Sequence, residues 1–119
     1  MNFHQANEYC TSMDAFLAEP RTLEEYDIIH DYTKSLSTTV DIWLGATDSD
    51  TEGTWLWQSD GEHLTYNKWR SGHPPANDDK DCLFMGFTFG KFGDARCIIS
   101  SYNFLCQRKV QGIHVFFFF

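Results

Sequence analysis

The sequence predicts a single α+β domain with two helices, short antiparallel strands and a long polar loop. Apolar side chains recur at helical spacing in the first 36 residues, and from residue 41 onward they stand in short runs separated by turn residues. A chain of 119 residues is long enough to bury one hydrophobic core but not two. Helices followed by a group of strands are typical of the α+β class.

The first helix is predicted near the start of the sequence. Its apolar residues recur every three or four positions and form one stripe, namely Phe3, Ala6, Cys10 and Met13. Asn2 precedes this stripe and Gln5 follows three positions later, which is the spacing of a reciprocal helix cap. A short apolar strand is expected at residues 15–18.

The second helix is predicted to begin after Thr22, which forms a capping box with Glu25. Glu24, Glu25 and Asp27 lie in its first turns, where negative charge favours the helix dipole. Its inner face is expected to consist of Leu23, Tyr26, Ile29, either Tyr32 or Thr33, and Leu36.

The remaining sequence predicts short strands joined by turns. Trp55 and Trp57 fall on one face of a strand because side chains alternate with a period of two. Residues 69–81 form a polar loop, and long loops in compact domains are often functional. The expected strands are residues 42–46, 54–58, 64–66, 82–87, 95–99 and 103–108.

Residues 110–119 end in Val115 followed by four phenylalanines. Such a run exposed to water favours aggregation, and it is too short to cross a bilayer. We expect an apolar tail outside a domain of residues 1–109; the alternative is the first turn of a truncated membrane helix. No run of about 20 apolar residues and no signal peptide is visible, so we expect a fragment of a secreted protein without a membrane span.

The charge and the cysteine spacing argue against a nucleic-acid-binding protein and against a structural zinc site. The formal net charge is −8 and the basic residues are scattered, which argues against a nucleic-acid partner and favours either cation binding or simple solubility. Cys10, Cys82, Cys97 and Cys106 indicate two disulfides and an oxidising compartment, because no pair has the short spacing of a structural zinc site. The residues alone leave three pairings open.

Residues 43–48 (WLGATD), followed by residues 52–55 (EGTW), resemble the centre of C-type lectin-like domains. Further matching pieces are Tyr9-Cys10, Asp81-Cys82 and residues 104–107 (FLCQ). The resemblance covers residues 3–109 and lacks the family's first strand. Within the family the chain is most similar to short secreted invertebrate lectins such as the perlucins.

The resemblance implies disulfides Cys10–Cys106 and Cys82–Cys97. In the chain-entropy model these contribute roughly 4–5 and about 3 kcal/mol. It also implies a non-enzymatic module for a carbohydrate or glycoprotein ligand, as in innate defence; the alternative is a domain that binds a protein, matrix or mineral surface without sugar. An enzyme is not expected, because the adjacent His30 and Asp31 do not face each other on a helix and no catalytic motif is present.

The sugar-binding loop departs from the family pattern. His73, Pro74 and Pro75 stand where the family has Glu-Pro-Asn or Gln-Pro-Asp, and Lys80 stands where it has a carboxylate. Of five usual ligands only Asp94 is retained, so the calcium-bridged sugar site is expected to be degenerate. The alternative for Asp94 is a hydrogen-bonding turn residue. Asn77 and Asp78, next to Asp79, offer oxygens for a non-standard cation site.

A second calcium site of the family uses the turn after residues 43–48 and the end of the loop. Asp48, Glu52 and Asp81 match three of its ligand positions. Asp48 and Glu52 are four residues apart in one turn, so their carboxylates can face one point. The alternative is that they cap the turn by accepting hydrogen bonds from backbone amides.

Overall fold

The computed structural model describes residues 1–35, 41–65, 69, 79–86, 91–99 and 101–119. Two helices and seven strands lie within these residues. They are α1 (Phe3–Ser12), β1 (Phe16–Leu17), α2 (Leu23–Lys34), β2 (Ile42–Thr47), β3 (Leu56–Trp57), β4 (Cys82–Met85), β5 (Phe92–Ala95), β6 (Asn103–Val110) and β7 (Ile113–Phe118).

Helix α1 begins with the predicted reciprocal cap. The backbone N–H of Gln5 donates to the Asn2 side chain over 2.9 Å, and the Asn2 backbone N–H donates to Gln5 Oε1 over 3.0 Å. These bonds satisfy amides that have no partner within a helix. Phe3, Ala6 and Cys10 are buried, which confirms the predicted stripe.

Helix α2 begins at the predicted cap, where the Glu25 amide donates to Thr22 Oγ1 over 3.1 Å. Tyr26, Ile29 and Thr33 are buried and follow helical spacing. Leu23 does not lie on the inner face as predicted: its side chain is half exposed at the first position of the helix. Leu36 lies outside the described residues.

The strands form one sheet in the order β1-β6-β2-β4-β5, with β3 on β2 and β7 on β6. Its pairings are antiparallel except that between β2 and β6, which is parallel. Every residue of β2 is buried, and alternate residues enter two different core clusters. Leu44 packs in the cluster that contains Tyr26 of α2, whereas Trp43 packs in the cluster that contains Phe3 of α1. The helices therefore cover opposite faces of the sheet.

The two disulfides have the pairing that the resemblance implied. Cys10–Cys106 joins α1 to β6 with its Cα atoms 5.4 Å apart, and Cys82–Cys97 joins β4 to the turn after β5 with its Cα atoms 5.3 Å apart. The first bond ties a helix to the strand that pairs with β1, β2 and β7.

Some predicted strands lie elsewhere in the structure. The strand predicted at residues 95–99 is wrong, because the pairing with β4 is made by β5 and Cys97 already lies in a turn. Gly93 permits this pairing: a Cβ there would lie 2.6 Å from the ring of Phe84. The strand predicted at residues 64–66 is represented among the described residues only by a single bridge between His63 and Leu56.

Residues 110–119 were expected to lie outside the domain, but most of them form β7, paired antiparallel along β6. The hairpin turns at Gln111 and Gly112, which both have positive φ. Phe116 and Phe118 pack against the α2 cluster and Phe117 against the α1 cluster, as alternation in a strand requires. Among the described residues, no helix combines the length and apolar character needed to cross a membrane.

Candidate calcium centre and ligand-binding face

Sheet register places Asp48 beside Asp81. Thr47 of β2 pairs with Cys82 of β4, so the residue after one strand end meets the residue before the other. The Asp48 amide donates to the Asp81 carbonyl over 3.1 Å, which continues the ladder by one pair. Two acidic residues that are far apart in sequence are therefore held at one corner of the sheet.

The turn after β2 folds back onto the Asp48 carboxylate. The Gly53 amide donates to Asp48 Oδ2 over 3.0 Å, and Gly53 adopts a φ of 83°, which glycine accepts without strain. This is the amide contact expected if Asp48 caps the turn. The same closure brings Glu52 back toward the strand end.

One oxygen from each of Asp48, Glu52 and Asp81 lies within 4.8 Å of the other two. Asp48 is buried with 3% of its surface exposed, Asp81 is half-buried and Glu52 is exposed. Burial raises the pKa of the Asp48 carboxyl above its ordinary value, and the neighbouring Glu52 raises it further, against the lowering effect of the Gly53 amide. The structure thus confines negative charge in a place where ionisation is costly.

This donor set fits calcium. Carboxylate oxygens are the ligands that calcium prefers, and the cluster opens to solvent at Glu52. Asp48 Oδ1 is buried without a hydrogen-bond partner among the described groups. A buried carboxylate oxygen in that situation is costly unless a cation or donor reaches it. A calcium ion held by these three residues would remove that cost and supply positive charge at the corner of the sheet.

Asp94 occupies a different position. It lies in β5, paired with Leu83 of β4, and is buried with 4% of its surface exposed. The prediction of a turn residue is therefore wrong, because Asp94 belongs to a strand. It is not a member of the three-carboxylate cluster.

Most of the predicted ligand loop lies outside the described residues, namely His73, Pro74, Pro75, Asn77 and Asp78. The end of the loop is described. Asp79 Oδ2 lies 3.2 Å from Arg96 Nε, so an ion pair links the loop end to the residue after β5. Lys80 is exposed beside Asp81. The Asp79–Arg96 pair was missed by sequence reasoning, because neither residue belongs to a local pattern that names its partner.

The base of the loop is aromatic. Trp69 is half-buried, with its ring centroid 5.1 Å from that of Trp55 and 6.0 Å from that of Phe92. A backbone bridge to Phe92 fixes it further. Trp69 therefore packs against the core at the point where the loop leaves the sheet.

Comparison with known proteins identifies relatives of this chain. The model of the Lectin C-type domain family matches residues 1–108. Human tetranectin is 32% identical over 110 residues, covering 88% of this chain and 54% of tetranectin, so the chain spans about half of that relative. Perlucin from Haliotis laevigata is 30% identical over 111 residues, covering 91% of this chain and 70% of perlucin.

A solved structure shows the same architecture. The carbohydrate-recognition domain of the mouse scavenger receptor C-type lectin superposes with a TM-score of 0.79 at 27% identity, covering 94% of this chain and 84% of that one. The helix order, the disulfide pairing and the WLGATD and EGTW segments around the acidic corner are thus those that the resemblance implied. The chain belongs to the C-type lectin domain family.

Proposed function

We propose that this domain is a non-enzymatic, extracellular ligand-binding module that uses calcium bound by Asp48, Glu52 and Asp81 to hold its ligand-binding loop. The observation that carries the proposal is the convergence of these three carboxylates within 4.8 Å at the end of the loop. Two disulfides suit an oxidising compartment. Family membership supports a ligand-binding role rather than catalysis.

The role of this calcium is mainly structural. Asp48 and Glu52 belong to the turn after β2, whereas Asp81 ends the long loop before β4. A cation shared by these side chains would join the two segments at a point where the unliganded carboxylates repel each other. Calcium binding would then raise the free energy of unfolding of the domain.

The ligand we favour is a carbohydrate or glycoprotein, bound more weakly than by relatives with a complete sugar site. Lys80 replaces a carboxylate at that site, and its ammonium opposes a second calcium. Gly93 offers no side-chain oxygen in β5. The chain retains Asp94 there, so one carboxylate remains where calcium and sugar meet in other members.

A second candidate is binding to a protein, matrix or mineral surface without sugar. The exposed Lys80 and the proline pair at 74–75 favour it, because they remove the oxygens through which calcium holds a sugar ring. The net charge of −8 is compatible with a cationic or mineral surface.

Calorimetric titration of calcium into the disulfide-bonded chain tests the proposal. We expect millimolar or tighter affinity for the unmodified chain and loss of most of the heat in Asp48→Asn. Asp14→Asn is the matched control, because Asp14 is exposed and its φ of 57° is one that asparagine also tolerates. No heat in the unmodified chain, or equal heats for both variants, would exclude calcium at this cluster. Sugar arrays with and without chelator then separate the two ligand classes.

A further inference from the structure

The outer edge of β7 carries backbone hydrogen-bonding groups that pair with no strand among the described residues. Phe104 and Phe119 exchange both of their backbone hydrogen bonds, at 2.9 Å each. Because an antiparallel ladder alternates, every second residue of β7 turns its N–H and C=O away from β6. These residues are His114, Phe116 and Phe118, and no described strand pairs with β7 on that side.

This edge lacks the features by which proteins usually block edge pairing. No charged residue and no proline occurs between Ile113 and Phe118, in a chain whose net charge is −8. The strand at the other end of the sheet, β5, has four residues and contains Asp94. β7 is therefore longer than β5 and, unlike β5, contains no Asp, Glu, Lys or Arg.

The strand is also held firmly against the domain. The ring of Phe119 stacks on Phe104 with centroids 5.3 Å apart and meets Tyr9 of α1 edge-on at 4.8 Å. The Arg108 guanidinium lies 5.1 Å from the ring centroid of Phe117. β7 is therefore already ordered before another strand binds. Strand addition would lose little conformational entropy from β7 itself.

An apolar cleft of about 240 Å³ lies beside this edge, between α2 and β7. Its apolar walls include Ile28 and Ile113, whose side chains are 57% and 68% exposed. The remaining lining residues are Ile29, Phe116 and the polar or charged Glu19, Glu25, Gln107 and His114. A strand added to β7 would cover part of this exposed apolar surface.

We infer that β7 is a homodimer interface, in which the β7 strands of two copies pair antiparallel and join two sheets into one. The occupant is a second copy because the edge is self-complementary: the outward-facing residues are symmetric about Phe116, so a two-fold axis there pairs every open donor with an acceptor. β7 contains no Asp, Glu, Lys or Arg, so no like charges lie opposite each other within the strand pair. The contact uses both edges and closes at two copies.

Sedimentation equilibrium of the disulfide-bonded chain over rising concentration tests this inference. His114→Pro deletes one outward N–H, and His114→Ala keeps it while removing the same side chain and its 2.8 Å contact with Gln107. We expect a monomer–dimer equilibrium in the unmodified chain and in His114→Ala. His114→Pro should dimerise at least about tenfold more weakly, because two symmetric hydrogen bonds are lost.

Amide hydrogen exchange of the unmodified chain gives a readout that does not depend on the folding of a variant. The outward amides of Phe116 and Phe118 should become protected as concentration rises, whereas the inward amides of Val115 and Phe117 should be protected throughout. A chain that stays monomeric, a dimer formed equally by both His114 variants, open-ended polymers, or outward amides that exchange at the same rate at every concentration would each overturn the inference.

Discussion

Glu19 and Asp48 are both almost fully buried carboxylates, with 2% and 3% of their surfaces exposed, yet their surroundings are opposite. Glu19 accepts hydrogen bonds from Arg21 at 2.6 Å and from the Ser59 hydroxyl and amide at 2.7 and 3.0 Å. Asp48 accepts one bond from Gly53 and otherwise faces two further carboxylates. A buried acid that is neutralised by the protein serves the fold, whereas one surrounded by acids is suited to an external cation.

The Glu19 site is closed in a way that the Asp48 site is not. Gly45 of β2 lies over it, and a Cβ at that position would meet Leu17 O at 2.7 Å and Glu19 Cγ at 3.1 Å. Arg21 also reaches Asp60 at 2.9 Å, so the guanidinium joins two acidic side chains. The Arg21 contact accordingly lowers the pKa of Asp60 below its ordinary value.

The largest effect is expected from Glu19→Ala, which leaves Arg21 and Ser59 without their common acceptor. Arg21 is 30% exposed and keeps its ion pair with Asp60, so the variant loses hydrogen bonds to a charged group, which contribute about 1.5–3 kcal/mol of unfolding free energy. Urea unfolding of the oxidised chain measures this loss. Glu8→Ala is the matched control, because Glu8 is exposed on α1. Equal stability of the two variants would show that the Glu19 network contributes little.

Asp48→Asn, measured in the presence of a calcium chelator, is expected to change the free energy of unfolding less than Glu19→Ala and to increase it. Burial raises the folded-state pKa of Asp48 above that of the unfolded chain, so ionisation opposes folding, most strongly above the folded pKa and not at all below about 3.9, the unfolded value. The variant should therefore have a larger free energy of unfolding than the unmodified chain near neutral pH. Unfolding titrations at descending pH should show this difference shrinking, and a difference independent of pH would contradict the assignment.

The smallest effect is expected at the exposed Asp79–Arg96 pair, where 70% and 57% of the two side chains are exposed. Such pairs contribute about 0.2–1 kcal/mol and weaken with salt. A double-mutant cycle with Asp79→Ala and Arg96→Ala at low and high salt measures the coupling. A coupling that exceeds this range and resists salt would mean that the loop end is held more firmly than an exposed contact allows.

The sequence predicted local features well because their causes are local. The Asn2–Gln5 and Thr22–Glu25 caps each lie within four residues, so their chemistry is visible in the sequence. The Asp48–Glu52 part of the metal cluster is equally local. Asp81 was added only through the family resemblance, because its position depends on the pairing of β2 with β4.

Features that depend on distant partners could not be predicted from the sequence. In the pairing of β4 with β5, the ring of Phe84 occupies the space that a side chain at position 93 would need, and Gly93 leaves that space open. This relation joins two strands and is not visible in the local sequence of either. The Phe run of β7 has no alternation of polar and apolar residues, so its strand period is invisible. Glu19 gave no sign of burial, since its partners Arg21 and Ser59 meet only in the folded chain.

The Cys10–Cys106 bond has a mechanical consequence. It closes a covalent ring over a sequence separation of 96 residues, so tension applied between the two chain ends bypasses everything inside the ring. Within this sequence, residues 1–9 and 107–119 lie outside the ring, and their total extended length is roughly 75 Å at about 3.4 Å per residue. The β6–β7 hairpin lies outside the ring and would separate one residue pair at a time under tension. Asp48, Glu52 and Asp81 lie inside the ring and would bear no tension until the disulfide is reduced.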